Sequence, residues 1–329
     1  MKHPYDALTP DAVINAVEST GLLSDMRQLA LNSYENRVYQ VGIDEADPVV
    51  VKFYRPDRWS SACIKEEHQF LLELEEDEIP VIAPLEIDGE TLFTYQTPEQ
   101  DFEFAVFPRR NGHAPEFSDL DQLEQLGRWL ARVHQVGLDY PFQHREKING
   151  QDAIAKFSQS VLESGLIPED YVAAYESICR ELNQLVNEQL IINPEQTQRI
   201  HGDFHAGNLL WRDEQLFIVD FDDCVQGPVM QDIWMLLSGQ REEQLQQLSA
   251  IRDGYQMFRP FPTHQLAWIE SLRTLRLVKY AAWLTQRWHD PAFKVAFPWF
   301  TGHQYWSNHV LSLREQLSSL QEPPLFLYD

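Results

Sequence analysis

Cysteine is scarce in this chain of 329 residues: only Cys63, Cys179 and Cys224 occur, odd in number and far apart. That excludes a disulfide framework or a zinc knuckle. Long apolar runs are missing as well. No stretch reaches the length of a membrane span, and Met1-Lys2-His3-Pro4-Tyr5-Asp6 lacks the apolar core of a signal peptide. The chain therefore reads as cytoplasmic, with no membrane partner. Basic residues are few, with 26 Lys and Arg against 51 Asp and Glu, a formal net charge of −25. Such a field disfavours nucleic acid, which needs clustered cations. There is no internal repeat and no low-complexity tract. A hydrophobic share of 43% with 23% charged residues argues against wholesale disorder, and the length allows one large domain or two smaller ones.

What is present is concentrated in His201-Gly202-Asp203-Phe204-His205-Ala206-Gly207-Asn208, followed after an apolar strand by Val219-Asp220-Phe221-Asp222-Asp223. Phosphoryl transfer from Mg-ATP asks for this set. One carboxylate receives the acceptor hydroxyl, while an amide oxygen and a second carboxylate hold metal against the phosphates. Asp203 is the candidate for the first task. Asn208 offers a neutral oxygen ligand, which suits Mg²⁺. Asp220 follows Leu216-Phe217-Ile218-Val219 and is expected at the end of a buried strand, where a carboxylate is costly unless it binds metal or is paired. Asp222 is read either as a second metal contact or as a surface residue, and Cys224 as a small packing residue.

The segments before this one alternate between strand and helix. Thr9-Pro10 opens a short helix. Leu29 to Val41 reads as two strands around the polar turn Asn32-Ser33-Tyr34-Glu35-Asn36. Val49-Val50-Val51-Lys52-Phe53-Tyr54 is a β-branched strand, Ser61 to Glu75 a helix, and Leu92 to Tyr95 and Phe102 to Phe107 two more strands. After Pro108-Arg109-Arg110-Asn111-Gly112 the pattern turns helical. Ser118 with Asp121 has the form of a capping box before Leu123, Leu126, Leu130 and Val133. A further helix carries Val172 to Leu185, a short one follows Gly227-Pro228, and a last long helix carries Trp268, Leu272, Leu275 and Lys279. The fold class is thus α+β, with a small antiparallel sheet lobe (residues 1–108) and a larger helical lobe (residues 109–329).

Lys52 lies on a strand otherwise made for burial, where a kinase places its phosphate-gripping lysine; alone it would also fit an edge-strand lysine facing water. Its acidic partner is Glu66 or Glu67. Glu67 shares a helical face with Phe70, Leu71 and Leu74 and so points inward, whereas Glu66 is expected to face solvent. A glycine-rich phosphate loop is absent. Leu31 to Val38 stands in its place, where Ser33, backbone amides and Arg37 could serve phosphate, or form a plain hairpin turn. His201, Asp203 and His205 could instead ligate a transition metal, but that leaves Lys52, Asn208 and Asp220 without work. His201 is better read as packing beneath the loop, and Asp232 as holding the loop's backbone. Trp268, Trp283, Trp288, Trp299 and Trp306 read as core and groove-lining residues.

The motifs of the 201–208 and 219–223 segments resemble the aminoglycoside phosphotransferase and choline kinase group, which has a protein-kinase-like two-lobed fold. Leu31 to Val38, Val50 to Pro56, Glu66 to Phe70, Phe104 to Pro108, Gly227 to Leu237 and Phe297 to Trp299 are similar to the bacterial stress response kinase A family, over nearly the whole chain. The resemblance implies a monomeric cytoplasmic serine/threonine protein kinase that phosphorylates itself and acts in envelope stress. By position, Asp203 would be the proton acceptor, Asn208 and Asp220 would bind Mg²⁺, Ser33 would contact ATP and Lys52 would hold phosphate. The hinge around Phe107 to Arg109 would cradle adenine. One tension comes from the sequence itself. Only Phe221 to Gln231 separate Asp220 from the next helix, and no Ala-Pro-Glu closes an activation segment. Gly202 also stands where an Arg would read a phosphate on such a segment. Those features alone point to a small-molecule alcohol as acceptor; the resemblance points to protein Ser/Thr.

Overall fold

A computed structural model of the chain describes residues 4–213 and 215–327. The first helix, α1 (Pro10–Glu18), begins as Thr9-Pro10 implies: the Thr9 hydroxyl accepts from Ala12 N at 3.2 Å. Five strands follow, β1 (Ser24–Leu31), β2 (Arg37–Ile43), β3 (Val49–Phe53), β4 (Phe93–Gln96) and β5 (Asp101–Pro108), with α2 (Ser61–Glu76) between β3 and β4. They form one antiparallel sheet in the order β1-β2-β3-β5-β4. β3 lies in the middle, which is why its valine-rich run is buried. Lys52 pairs across to Val38 and Ala105 and is an interior lysine, not an edge one.

The sheet has its own core, in which Val13 and Val17 of α1 meet Val51, Phe53, Phe102 and Phe104. Phe70, Leu71 and Leu74 of α2 instead join the main core of the helical lobe. The helix that carries Glu67 is therefore anchored on one lobe while its acidic side chain meets the sheet of the other. The architecture is α+β and two-lobed.

The helical lobe contains α3 (Leu120–Val136), α4 (Ala153–Glu163), α5 (Glu169–Gln189), β6 (Gln198–Ile200), β7 (Leu209–Arg212), β8 (Gln215–Ile218), β9 (Val225–Gly227), α6 (Met230–Trp234), α7 (Arg241–Tyr255), α8 (Ile269–Arg287), α9 (Pro291–Ala296) and α10 (His303–Gln321). Several local expectations shift. The cap of α3 is Asp119, one residue after Ser118; its carboxylate accepts from Asp121 N and Gln122 N at 3.0 and 3.2 Å. The motif region holds four short strands, in the antiparallel pairs β6–β9 and β7–β8. The last long helix is α10, not α8. Where α3 crosses α7 the backbones touch. A Cβ on Gly254 would stand 1.9 Å from the Glu124 carbonyl oxygen, and one on Gly127 2.2 Å from that of Ile251. Among the described residues no helix is long and apolar enough to cross a membrane.

Candidate active site

The β7–β8 hairpin explains the spacing between Asn208 and Asp220. Leu209 pairs with Ile218, and Val219 N donates to the Asn208 carbonyl at 3.0 Å, so the residues flanking the two strands are brought side by side. The Asn208 amide nitrogen donates to the Asp203 carbonyl at 2.9 Å. Its carboxamide oxygen is left as the acceptor that a cation would use. Asp220 departs from expectation. It lies past the strand end in a left-handed backbone conformation (φ 60°), and its side chain is 56% exposed to the cleft. Enclosure by the cleft raises its pKa, Lys52 opposes this, and Asp222, Asp223 and Glu67 push it up again by like charge. A carboxylate crowded by three others is a place where a divalent ion relieves repulsion.

Asp203 is held from several sides. Arg276 of α8 pairs with its Oδ1, and His205 Nε2 lies 3.3 Å from its Oδ2. Burial opposes its ionisation, but His205 and the charge of Arg276 hold it well below the usual carboxylate range. Beneath it, the fully buried Asp232 accepts from His201 N at 2.9 Å and Gly202 N at 2.8 Å, and its Oδ2 lies 3.1 Å from His134 Nε2. His201 bridges the loop to the hairpin: Asp203 N donates to its Nδ1 at 3.2 Å, and its Nε2 donates to the Val219 carbonyl at 2.9 Å. That commitment removes His201 from any metal cluster with Asp203 and His205. Among the described residues, no three His, Cys, Asp or Glu side chains are gathered to hold a metal unaided. Gly202 adopts φ 82°, and a Cβ there would meet the Asp223 carbonyl at 2.4 Å, so the position demands glycine for steric reasons.

Lys52 and Glu67 meet as their periodicity implies, Nζ to Oε1 at 3.2 Å, both buried. Lys52 also reaches Asp222 at 3.0 Å and Asp220 at 3.6 Å, linking the sheet lobe to the hairpin side. Burial lowers its pKa, but Asp222 and Glu67 outweigh that and raise it well above the ordinary lysine range. Asp222 is thus buried, not a surface residue, and Arg58 also pairs with it. Glu66 does not simply face solvent; it accepts backbone N–H bonds from Gln143, His144 and Arg145 at 2.6, 2.9 and 3.0 Å. Arg145, which drew no notice in the sequence, completes the cluster. It pairs with Glu67 Oε2 at 2.8 Å and donates to the Asp222 carbonyl at 2.6 Å.

Ser33 is half-buried in the β1–β2 turn, and Phe107 is half-buried on β5 with its ring edge-on to His68 at 6.3 Å. Neither joins the contacts around Lys52 or Asp203. Arg37 stacks over Tyr5 at 4.6 Å and donates to the Asn36 carbonyl of the turn at 3.2 Å. Glu35 is the turn's most connected member. Arg287 pairs with its Oε1 at 2.6 Å, Trp283 Nε1 donates to its Oε2 at 2.9 Å, and Arg55 and Arg58 lie 3.8 and 3.7 Å away. Beside Asp203 opens a cavity of about 350 Å³, floored by Ile148, Leu272 and Leu275 and walled by Trp59, Tyr280 and Trp283.

A model of the phosphotransferase enzyme family matches residues 27–269. The serine/threonine protein kinase RdoA of Salmonella typhimurium is 44% identical over 323 residues, spanning 98% of this chain and 97% of that protein. The chain belongs to the stress response kinase A family of phosphotransferases. Stress response kinase A of Escherichia coli K12 is also 44% identical, over 327 residues and the same shares of both chains. Among solved structures, an amicoumacin kinase in complex with AMP-PNP, Ca²⁺ and Ami superposes with a TM-score of 0.71 at 21% identity, covering 95% of this chain and 94% of that one. A microcompartment-associated aminopropanol kinase gives 0.72 at 20%, covering 94% and 98%. These likenesses concern the fold. In this phosphotransferase the matched region carries the whole Lys52–Glu67 and Asp203–Asn208–Asp220 constellation.

Proposed function

We propose that this phosphotransferase moves the γ-phosphoryl group of ATP, with Mg²⁺, to Ser and Thr hydroxyls of proteins, its own included, as a cytoplasmic monomer in a stress response. The observation that carries the reading is the meeting of Lys52, paired to Glu67, with Asp220 on the far side of one cleft. Residues 1–108 would form the nucleotide lobe, with Ser33 and Phe107 to Arg109 contacting ATP, and residues 109–329 the catalytic lobe. Asn208, with its nitrogen already committed, and the charge-crowded Asp220 would hold Mg²⁺; two protein ligands leave room for phosphate and water, as that ion prefers. When bound, the ion neutralises charge on the phosphates. Lys52 grips the phosphates from the sheet side, held by Glu67. Asp203, kept ionised by His205 and Arg276, orients the acceptor hydroxyl and takes its hydrogen bond.

The name of the relatives supports protein hydroxyls as acceptors. A small-molecule alcohol is the second reading, favoured by the cavity beside Asp203 and by the short 3₁₀ turn and strand that alone separate Asp220 from α6. Asp203→Ala should bind nucleotide and fold normally yet lose phosphate transfer from γ-labelled ATP. Unchanged turnover in that variant would sink the assignment.

A further inference from the structure

Charge around the acceptor cavity runs against the rest of the molecule. The chain has only 7 lysines, and two of them, Lys147 and Lys279, line this cavity with Arg58 and Arg276. The carboxylates facing it are Asp203, Asp223 and Glu146. Asp203 is tied to Arg276 and Asp223 to Arg58, the latter at 2.8 Å. Lys147 and Lys279 are exposed and have no ion-pair partner among the described residues, leaving two unspent cations against Glu146. They are not scattered. On α8, Leu272, Leu275, Arg276 and Lys279 fall at helical spacing on one face, so the apolar floor grades into a basic rim; Lys147 closes it from the segment before α4. Lysines left unpaired at a cleft mouth, in a chain of net charge −25, attract an anion that the remaining surface repels.

We propose that the acceptor is an acidic Ser/Thr segment, whose hydroxyl reaches Asp203 while a neighbouring Asp or Glu side chain engages Lys147 or Lys279. The proposal rests on the reading of Asp203 as the acceptor-binding carboxylate of a protein kinase. Binding adds no chemical step; the rim sets affinity and specificity for the known transfer class.

The test uses the purified full chain with Ser-containing peptides of equal length, flanked by acidic, neutral or basic residues, and follows label transfer from γ-labelled ATP. Acidic flanks should raise kcat/KM about tenfold over neutral ones, mainly through KM, with basic flanks poorest and the advantage shrinking at high salt. In Lys147→Glu/Lys279→Glu the order of acidic and basic peptides should invert, while the KM for ATP and turnover of the neutral peptide stay as they were. Equal use of all three classes, or a preference for basic flanks, overturns the proposal. So does an acidic preference that survives in the double variant, which would place the recognition elsewhere. Failure to label any peptide, with transfer to small alcohols intact, removes the protein-kinase reading itself and the proposal with it.

Discussion

Glu67 provides the sharpest test of how the cleft is held. Its two oxygens divide between Lys52 at 3.2 Å and Arg145 at 2.8 Å, and the side chain is 1% exposed. Replacing it with Ala leaves two buried cations short of a partner. Breaking a buried pair by removing one member costs about 3–5 kcal/mol. Lys52 retains Asp222, and Arg145 retains the carbonyls of Cys63 and Asp222 at 2.9 and 2.6 Å, so the lower end, about 3 kcal/mol, is expected. Urea denaturation should show this as a fall in midpoint at constant slope. Lys52, released from the helix side, is drawn toward Asp222 and Asp220, where its charge competes with the divalent ion. Turnover should therefore fall by about a hundredfold, the scale of a 1 Å misplacement, with the ion concentration for half-maximal rate rising. Glu66→Ala makes the contrast: it frees three loop amides but leaves Lys52 alone, so stability drops while the ion requirement does not move. A Glu67→Ala protein within about 0.5 kcal/mol of the parent, the range of an inert surface change, and with an unaltered ion requirement, would refute this account of Lys52.

Asp232→Asn should cost about 2–3 kcal/mol, since two backbone donors lose a charged acceptor, and should lower turnover without changing nucleotide affinity measured by titration. Gly254→Ala should destabilise by about 1–3 kcal/mol in denaturant, the overpacking at Glu124 exceeding the helix propensity that alanine adds. Burial, followed by the charges of Lys52 and Arg145, lowers the His68 pKa from 6.5 to about 3. Between those values the unfolded chain binds the extra proton, so stability from this group is complete above pH 6.5 and is lost as pH falls toward 3. His68→Gln should reduce the slope of stability against pH by up to about 1.4 kcal/mol per unit in that window.

The sequence showed the parts of the site whose partners repeat locally. Glu67 was legible because Phe70, Leu71 and Leu74 share its helical face, and Asn208 and Asp220 because a short apolar strand stood before the second. Arg145, Arg58 and Arg276 were not legible. Each meets a carboxylate 73 to 164 residues away, and nothing near them in the chain marks that partner. The same holds for Glu35, which looked like one polar turn residue among five but meets Arg287 across 252 positions. Helix α7 escaped notice because Arg241–Tyr255 is largely polar; Leu248, Ile251 and Tyr255 make its buried face together with Gln247 and the close approach at Gly254. The capping box at Ser118 slipped by one position because Asp119, the next residue, is itself a strong cap.

The brace on the β1–β2 turn limits how this molecule can be taken apart. Glu35 hangs on Arg287 and Trp283, and the buried Arg55 pairs with Asp290 at 2.6 Å, so the turn and the end of β3 are stitched to the C-terminal helices. A sheet lobe excised at Pro108 would part Glu35 from Arg287, Arg55 from Asp290, Lys52 and Arg58 from Asp222, and Glu67 from Arg145. Grafting it onto the helical half of a distant relative would fail for the same reason unless Arg287 and Asp290 travelled with it. The two lobes are thus tied into one unit, separable only by breaking these pairs.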